Sequence, residues 1–218
     1  MTLLEAAKPH VPFDGWSDAT FRAAQVDAGI SAGLARAACP RGAVDLAIAY
    51  HEAGDSAMEQ RLASEDLSTL RYSEKVAAAI RFRIEAIEDR ELARRGATLF
   101  ALPYLAADGA RLIWGTADRI WTALGDTSED ANWYSKRAIL STVYGSTVLY
   151  WLGDDSPGCQ ATWDFLDRRI DGVMSFEKFK ARMRENPVMS RVMDRTSDTL
   201  SWLRAPKPGQ DLPGRWSR

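Results

Sequence analysis

The sequence predicts an all-α protein, and three observations carry that reading. Runs with the period-two alternation of a strand are nearly absent, whereas caps and stops that punctuate helices recur along the chain. One stretch, ANWYSKRAILSTVYGSTVLYWL at 131–152, reads as a helix of about 22 residues, roughly 33 Å long at 1.5 Å per residue. It opens with Trp133, Tyr134, Lys136 and Arg137 and carries no charge from Ala138 onward. Asp130 or Asn132 can cap its start, and Gly153, Asp154, Asp155, Ser156 and Pro157 stop it. Ile139, Leu140, Val143, Tyr144, Val148, Leu149, Tyr150, Trp151 and Leu152 leave almost no polar face, as in a helix buried on most sides. Ser141, Gly145, Ser146 and Thr147 interrupt that surface with small side chains, which either let a neighbour pack close or leave room for a guest. The stretch is too interrupted, and too polar at its start, for a membrane span.

At 218 residues the chain can build one substantial core, or a small module beside a larger one. A hydrophobic fraction of 46% and a charged fraction of 27% are those of an ordinary globular protein. The net charge of −2 argues against bulk attraction to nucleic acid. Cys39 and Cys159 lie far apart and match no metal or redox spacing, so a reducing cytosol is the expectation. Residues 1–12 contain no apolar segment of a secretory signal. With His10 and His51 as its histidines the chain offers no metal site by spacing, and neither a cofactor-binding loop nor a catalytic triad is found. Four of the eight tryptophans (Trp114, Trp121, Trp133 and Trp151) fall between 114 and 151, which concentrates interest there.

Taken in order, Leu3 to Ala7 reads as the end of a first helix. Ser17 caps a helix carrying Phe21, Ala24 and Val26 that ends at Ala28-Gly29-Ile30, and Ser31 caps a short second one that stops at Cys39-Pro40. Helix, glycine turn and short helix is the helix-turn-helix plan. The layout GWSDATFRAAQVDAGISAGLARAACPRGAVDLA at 15–47 resembles the N-terminal domain of TetR-type regulators. A DNA reader needs side chains for base edges and cations for phosphates. The would-be recognition helix is AGLARAA, with Arg36 as its polar side chain. Residues 1–60 hold four cations against eight acids, a balance of −4 where a phosphate-binding face carries the opposite sign. The module reads as structure retained and DNA binding lost.

Residues 44–62 and 73–96 read as long helices, the second with a stripe of Val76, Ile80, Ile84 and Ile87, a solvated face of Arg81, Glu85 and Glu88, and Gly96 as its stop. A shorter segment at 98–107 is kinked or broken by Pro103. In the helix at 110–124, Trp114, Asp118 and Trp121 stand at i, i+4 and i+7, an acid between two indoles. Asp118 is then either a plain surface acid, or it meets Lys136 or Arg137 across the 125–131 turn to form a patch of acid, cations and aromatics of the kind that anchors an interface. As a general acid or base it has no nucleophile motif near it. The segment at 159–173 carries Trp163, Leu166 and Ile170 on one stripe. From Phe176 the character turns basic, with seven cations against four acids over 176–206, and a break at Asn186-Pro187. A last short helix at 196–205 offers Leu200, Trp202 and Leu203, which either dock on the protein itself or give weak, reversible membrane attachment. The expected division is a degenerate helix-turn-helix module at 1–45, a helical ligand-binding and dimerisation domain at 46–175, basic amphipathic helices at 176–206 and a disordered tail at 207–218.

The segments DRIW at 118–121, LGDTSEDANWYSKR at 124–137 and VYGSTVLYWLGDDSPG at 143–158 resemble the ubiquinone-biosynthesis accessory protein family, lipid-binding relatives of the TetR fold. The similarity is densest over 111–173 and extends to WLRAP at 202–206. It implies a TetR-like fold with a degenerate helix-turn-helix and a helical lipid-binding domain. It also implies a non-enzymatic protein that binds an isoprenoid quinone intermediate, or a phospholipid, and presents it to the di-iron demethoxyubiquinone hydroxylase. Any iron would belong to that partner. The family's docking patch falls on Asp118, Trp133 and Tyr134, with Trp121, Lys136 and Arg137 beside them. Membrane association at the cytoplasmic face of the inner membrane falls on Leu200, Trp202 and Leu203. Tyr144, Gly145, Val148 and Trp151 are the cavity candidates from the central helix, and a homodimer pairing through 131–152 and 159–173 is expected from the fold. The alternative, a ligand-responsive TetR-type transcription regulator, predicts salt-dependent DNA binding that the acidic N-terminal balance disfavours.

Overall fold

The computed structural model describes residues 2–129 and 131–185, with side chains described outside Ala131 and 174–185. Among these residues the secondary structure is entirely helical. The small N-terminal module comprises α1 (Leu3–Ala7), α2 (Val11–Asp14), α3 (Asp18–Ala28) and α4 (Ala32–Ala38). Ser17 and Ser31 cap α3 and α4 by accepting the backbone N–H groups of Thr20 and Leu34. Gly29 ends α3 at φ +65°, a left-handed stop that a side chain would strain. The module's own core gathers Trp16, Phe21, Ala24 and Ala35 with Leu46 and the more distant Leu92.

The long α5 (Ala43–Ser64) joins this module to the rest, because Leu46 sits in the first core and Met58 in the second. The larger core is built by α6 (Tyr72–Glu85), α8 (Ala106–Ala123), α9 (Ala131–Leu152) and α10 (Gln160–Glu185) around Ile80, Ile84, Ile120, Leu140, Tyr144 and Leu166. The stripe Val76, Ile80, Ile84 faces this core, and Ile87 packs partly buried against it. The backbone of α10 is continuous across position 175. The residues Leu200, Trp202 and Leu203 and the expected tail lie outside the described residues.

Four expectations are corrected. The helix at 73–96 is two elements, since α6 ends at Glu85 and α7 (Arg90–Phe100) begins afresh. Asp89 makes the break by accepting the N–H of Glu91 at 2.8 Å, satisfying an orphan donor of the new helix. Gly96 therefore does not stop a helix. It lies within α7, where the Trp16 indole nitrogen would stand 3.7 Å from a Cβ. Pro103 falls in the turn between α7 and α8, so α8 starts at Ala106, earlier than 110. The central helix α9 is not buried on most sides: Leu149 is 67% and Tyr150 40% exposed, with Tyr150 stacked on Phe165 of α10.

Candidate functional site

Two features stand out, a cavity and a patch. The cavity, about 430 Å³, opens between α5, α7, α8 and α9. Its volume comes from small residues on the facing helices, among them Ala47, Ala93, Ala97, Gly109 and Gly145. Gly109 is obligatory there, because a Cβ would lie 2.9 Å from the Cβ of Phe100. Tyr144, Gly145 and Val148 line the cavity as the sequence suggested, and Leu149 joins them. Trp151 does not. It is buried in the larger core, with the Arg90 guanidinium 4.9 Å from its ring centroid, because Arg90 occupies the space beside the last turn of α9.

One wall of the cavity is polar, and the sequence reading missed it. Arg83 and Asp55, each with a side chain 3% exposed, form an ion pair at 2.5 Å. Arg83 also donates from Nη2 to the His51 carbonyl at 2.9 Å and lies over the Tyr144 ring. The Thr116 hydroxyl is within reach of two groups that only accept, the Asp55 carboxylate at 2.9 Å and the Leu112 carbonyl at 3.2 Å. Its own oxygen therefore accepts from His51 Nε2–H at 2.9 Å. Burial and the nearby Arg83 charge push the imidazole down to about 4, so it is neutral near pH 7 and its Nδ1 is the acceptor. The Tyr50 hydroxyl, on the same wall, is buried with no hydrogen-bond partner among the described residues. Sequence signals for this wall existed. His51, Asp55, Met58 and Leu62 follow one another at 4, 3, 4 on α5, and Arg83 stands at i+3 from Ile80 on the apolar stripe.

The patch lies where α8, the following turn and α9 meet. Arg137 Nε bonds Asp118 Oδ1 at 2.6 Å, Nη1 bonds Asp126 Oδ2 at 3.2 Å, and the guanidinium lies 3.9 Å over the Trp133 ring. Lys136 turns instead to Asp126 at 2.7 Å and Ser128 at 2.8 Å. Burial acts against the Asp126 charge, but hydrogen bonds from Lys136, Ser128 and Arg137 outweigh it and hold the carboxyl at about 2. The expected meeting of Asp118 with a cation is thus made by Arg137. That residue is not a surface cation, however, since its side chain is 3% exposed while Asp118 is 43% exposed. Arg137 is the strut under the patch. Its outer layer is aromatic, with Trp133 and Tyr134 edge to face at 4.8 Å and Trp114 tilted against both. Trp121 stacks on Tyr72 instead of joining these three rings, with Lys136 Nζ 5.6 Å from its ring centroid, and lines a second groove of about 270 Å³ with Lys136, Val143 and Ile170.

Among the described residues no helix is long and apolar enough to cross a membrane. Residues 106–177, which contain the patch and the α8–α9 side of the cavity, match the COQ9 family model. The chain is 34% identical over 143 residues to the "Probable ubiquinone biosynthesis protein coq9, mitochondrial" of Dictyostelium discoideum, covering 65% of this chain and 44% of that one. It is 31% identical over 184 residues to the mitochondrial ubiquinone biosynthesis protein COQ9 of Xenopus tropicalis, covering 79% and 57%. The chain thus spans about half the length of these curated relatives. In backbone it resembles the TetR transcriptional regulator from Nitrosomonas europaea, with a TM-score of 0.63 at 18% identity, over 78% of this chain and 94% of that one. The fold is thus similar to that of a TetR regulator, and residues 106–177 are similar to the COQ9 family.

Proposed function

We propose that this protein serves ubiquinone biosynthesis as a non-enzymatic lipid-binding accessory. In this reading it holds an isoprenoid quinone intermediate in the cavity and presents it to the di-iron demethoxyubiquinone hydroxylase, which docks on the Trp133–Tyr134 patch. The observation that carries the reading is the cavity itself, a largely apolar space walled by small residues in a fold whose central segment is COQ9-like. Moving each methylene of an isoprenoid chain from water into such a space is worth about 0.8 kcal/mol, so a protein that shelters part of the chain lowers the cost of leaving a bilayer. The patch supports the docking half of the proposal, because it presents aromatic rings held rigid from beneath by a buried arginine, as binding hot spots are.

A DNA-binding role, suggested by the TetR fold alone, is disfavoured by the side chains of the N-terminal module. Arg36 of α4 donates to the Pro40 carbonyl and covers the Phe21 ring, while Arg41 pairs with Asp45 and Asp108 and Lys8 with Glu5 and Glu88. Those cations are committed to the protein's own structure rather than to phosphates. The test is Trp133→Ala, measured for hydroxylase binding and for bound lipid. Loss of the hydroxylase with lipid retained supports the assignment, and full hydroxylase binding by the variant refutes it.

A further inference from the structure

The second groove lies where α6, α8, α9 and α10 meet, and neither the cavity nor the patch accounts for it. Its volume is about 270 Å³, and Val76, Leu140, Val143 and Ile170 make much of its lining apolar. Trp121, on its wall, has a buried indole N–H with no hydrogen-bond partner among the described residues. A buried donor in that state costs free energy that an acceptor on an occupant recovers. The groove therefore suits an occupant that is apolar and carries an oxygen acceptor. A short stretch of peptide with apolar side chains does both, because its carbonyls accept.

This chain contains such a stretch, and the function proposed above gives it no role. Thr199, Leu200, Ser201, Trp202 and Leu203 bring three large apolar side chains and two hydroxyls together in sequence. The tether is α10. Ile170 and Val173 line the groove, and the same helix runs on to Glu185, about 18 Å past Val173 at 1.5 Å per residue. Residues 186–199 would span about 46 Å when extended, more than enough to return over that distance. Attachment at that range raises the effective concentration of the stretch at the groove, an advantage that no free partner has. We infer that the groove is the seat of the chain's own residues 199–203, which fill it with apolar side chains and give Trp121 its acceptor. Asn132 and Ser135 line the groove and flank Trp133 and Tyr134 in sequence, so the seated stretch borders the aromatic patch. While seated, Leu200, Trp202 and Leu203 are withheld from a bilayer, and groove and membrane compete for them.

The experiment puts a photoreactive benzophenone amino acid in place of Trp202 in the full chain and maps its cross-links by peptide mass spectrometry. Isotope-labelled and unlabelled chains are mixed in equal amounts, which separates links within one chain from links between two copies. The expected links fall within one chain, on residues 72–76, 139–143 or 170–173. Two variants whose circular dichroism matches the parent chain are compared: Ser73→Trp, which fills the groove from its rim, and the double change Leu200→Asp with Leu203→Asp. Each is expected to lower the yield of those links about 10-fold. Protein bound to vesicles of phosphatidylcholine and phosphatidylglycerol is expected to lose the links as well. Links between copies alone overturn the proposal in favour of a second copy in the groove. Links confined to other surfaces, or a yield unchanged by Ser73→Trp, overturn it outright. An undiminished yield on the vesicle-bound protein overturns the competition with the bilayer.

Discussion

Replacing Arg137 by alanine removes a buried side chain that ties three segments together. Its guanidinium reaches Asp118 on α8 at 2.6 Å, Asp126 in the turn at 3.2 Å and the Trp133 carbonyl on α9 at 3.2 Å, and it covers the Trp133 ring. Its loss leaves the Asp126 carboxylate, 3% exposed, with Lys136 and Ser128 as remaining partners. Breaking a buried pair by removing one member costs about 3–5 kcal/mol, and because Lys136 still neutralises Asp126 the lower end, about 3 kcal/mol, applies. Asp118→Asn removes the other, 43% exposed end of the same arrangement and is expected to cost no more than about 1 kcal/mol. Urea unfolding of both variants measures the difference. With a slope of about 2 kcal/mol/M, the midpoint falls by about 1.5 M for Arg137→Ala and by 0.5 M or less for Asp118→Asn. Equal shifts would refute the strut, since they would mean that Asp126 does not depend on Arg137.

The other predictions concern the cavity wall and its neighbours. A Cβ on Gly54 would lie 2.6 Å from Nη1 and 2.7 Å from Cζ of the immobile Arg83, so Gly54→Ala is expected to destabilise by about 1–3 kcal/mol despite its better helix propensity. Gly33→Ala on α4 meets nothing within 4 Å and is expected to stabilise by about 0.5–1 kcal/mol, which thermal denaturation of the pair will read. His51 titrates near 6.5 unfolded and about 4 folded, so between these values the unfolded chain binds more protons. Stability is therefore lost as pH falls from 6.5 to 4, by about 3 kcal/mol in all, and a His51→Gln variant should show a flatter profile over that window. An alanine Cβ at Gly145 makes ordinary contact with Ile113 at 3.6 Å, so Gly145→Leu is expected to fold normally and fill the cavity, with lipid uptake from vesicles reduced at least 10-fold.

The caps explain why much of this fold could be read from the chain. Ser17, Gly29 and Ser31 act locally, each through a hydrogen bond or backbone angle within a few residues, and the helix-turn-helix emerged with its boundaries nearly right. The Asp118–Arg137 pair was legible for a similar reason, because a short turn brings adjacent helices together. The break after Glu85 was harder, since an apolar stripe runs through Ile84 to Ile87 and conceals the Asp89 cap. The polar floor of the cavity was least legible. Arg83, Asp55 and His51 come from two helices and are satisfied by one another and by Thr116 of a third, so no local pattern announces their partners. The burial of Arg137 was concealed likewise, because its neighbour Lys136 has the same charge and the opposite fate.

The central claim, that the cavity carries an isoprenoid lipid, is tested most directly by native mass spectrometry of the purified protein beside its Gly145→Leu variant, with extraction and identification of whatever is bound. The wild-type chain is expected to carry an uncharged isoprenoid quinone and the folded variant none. A wild-type protein that is empty and takes up no quinone from vesicles would contradict it, as would a variant that retains the lipid in full.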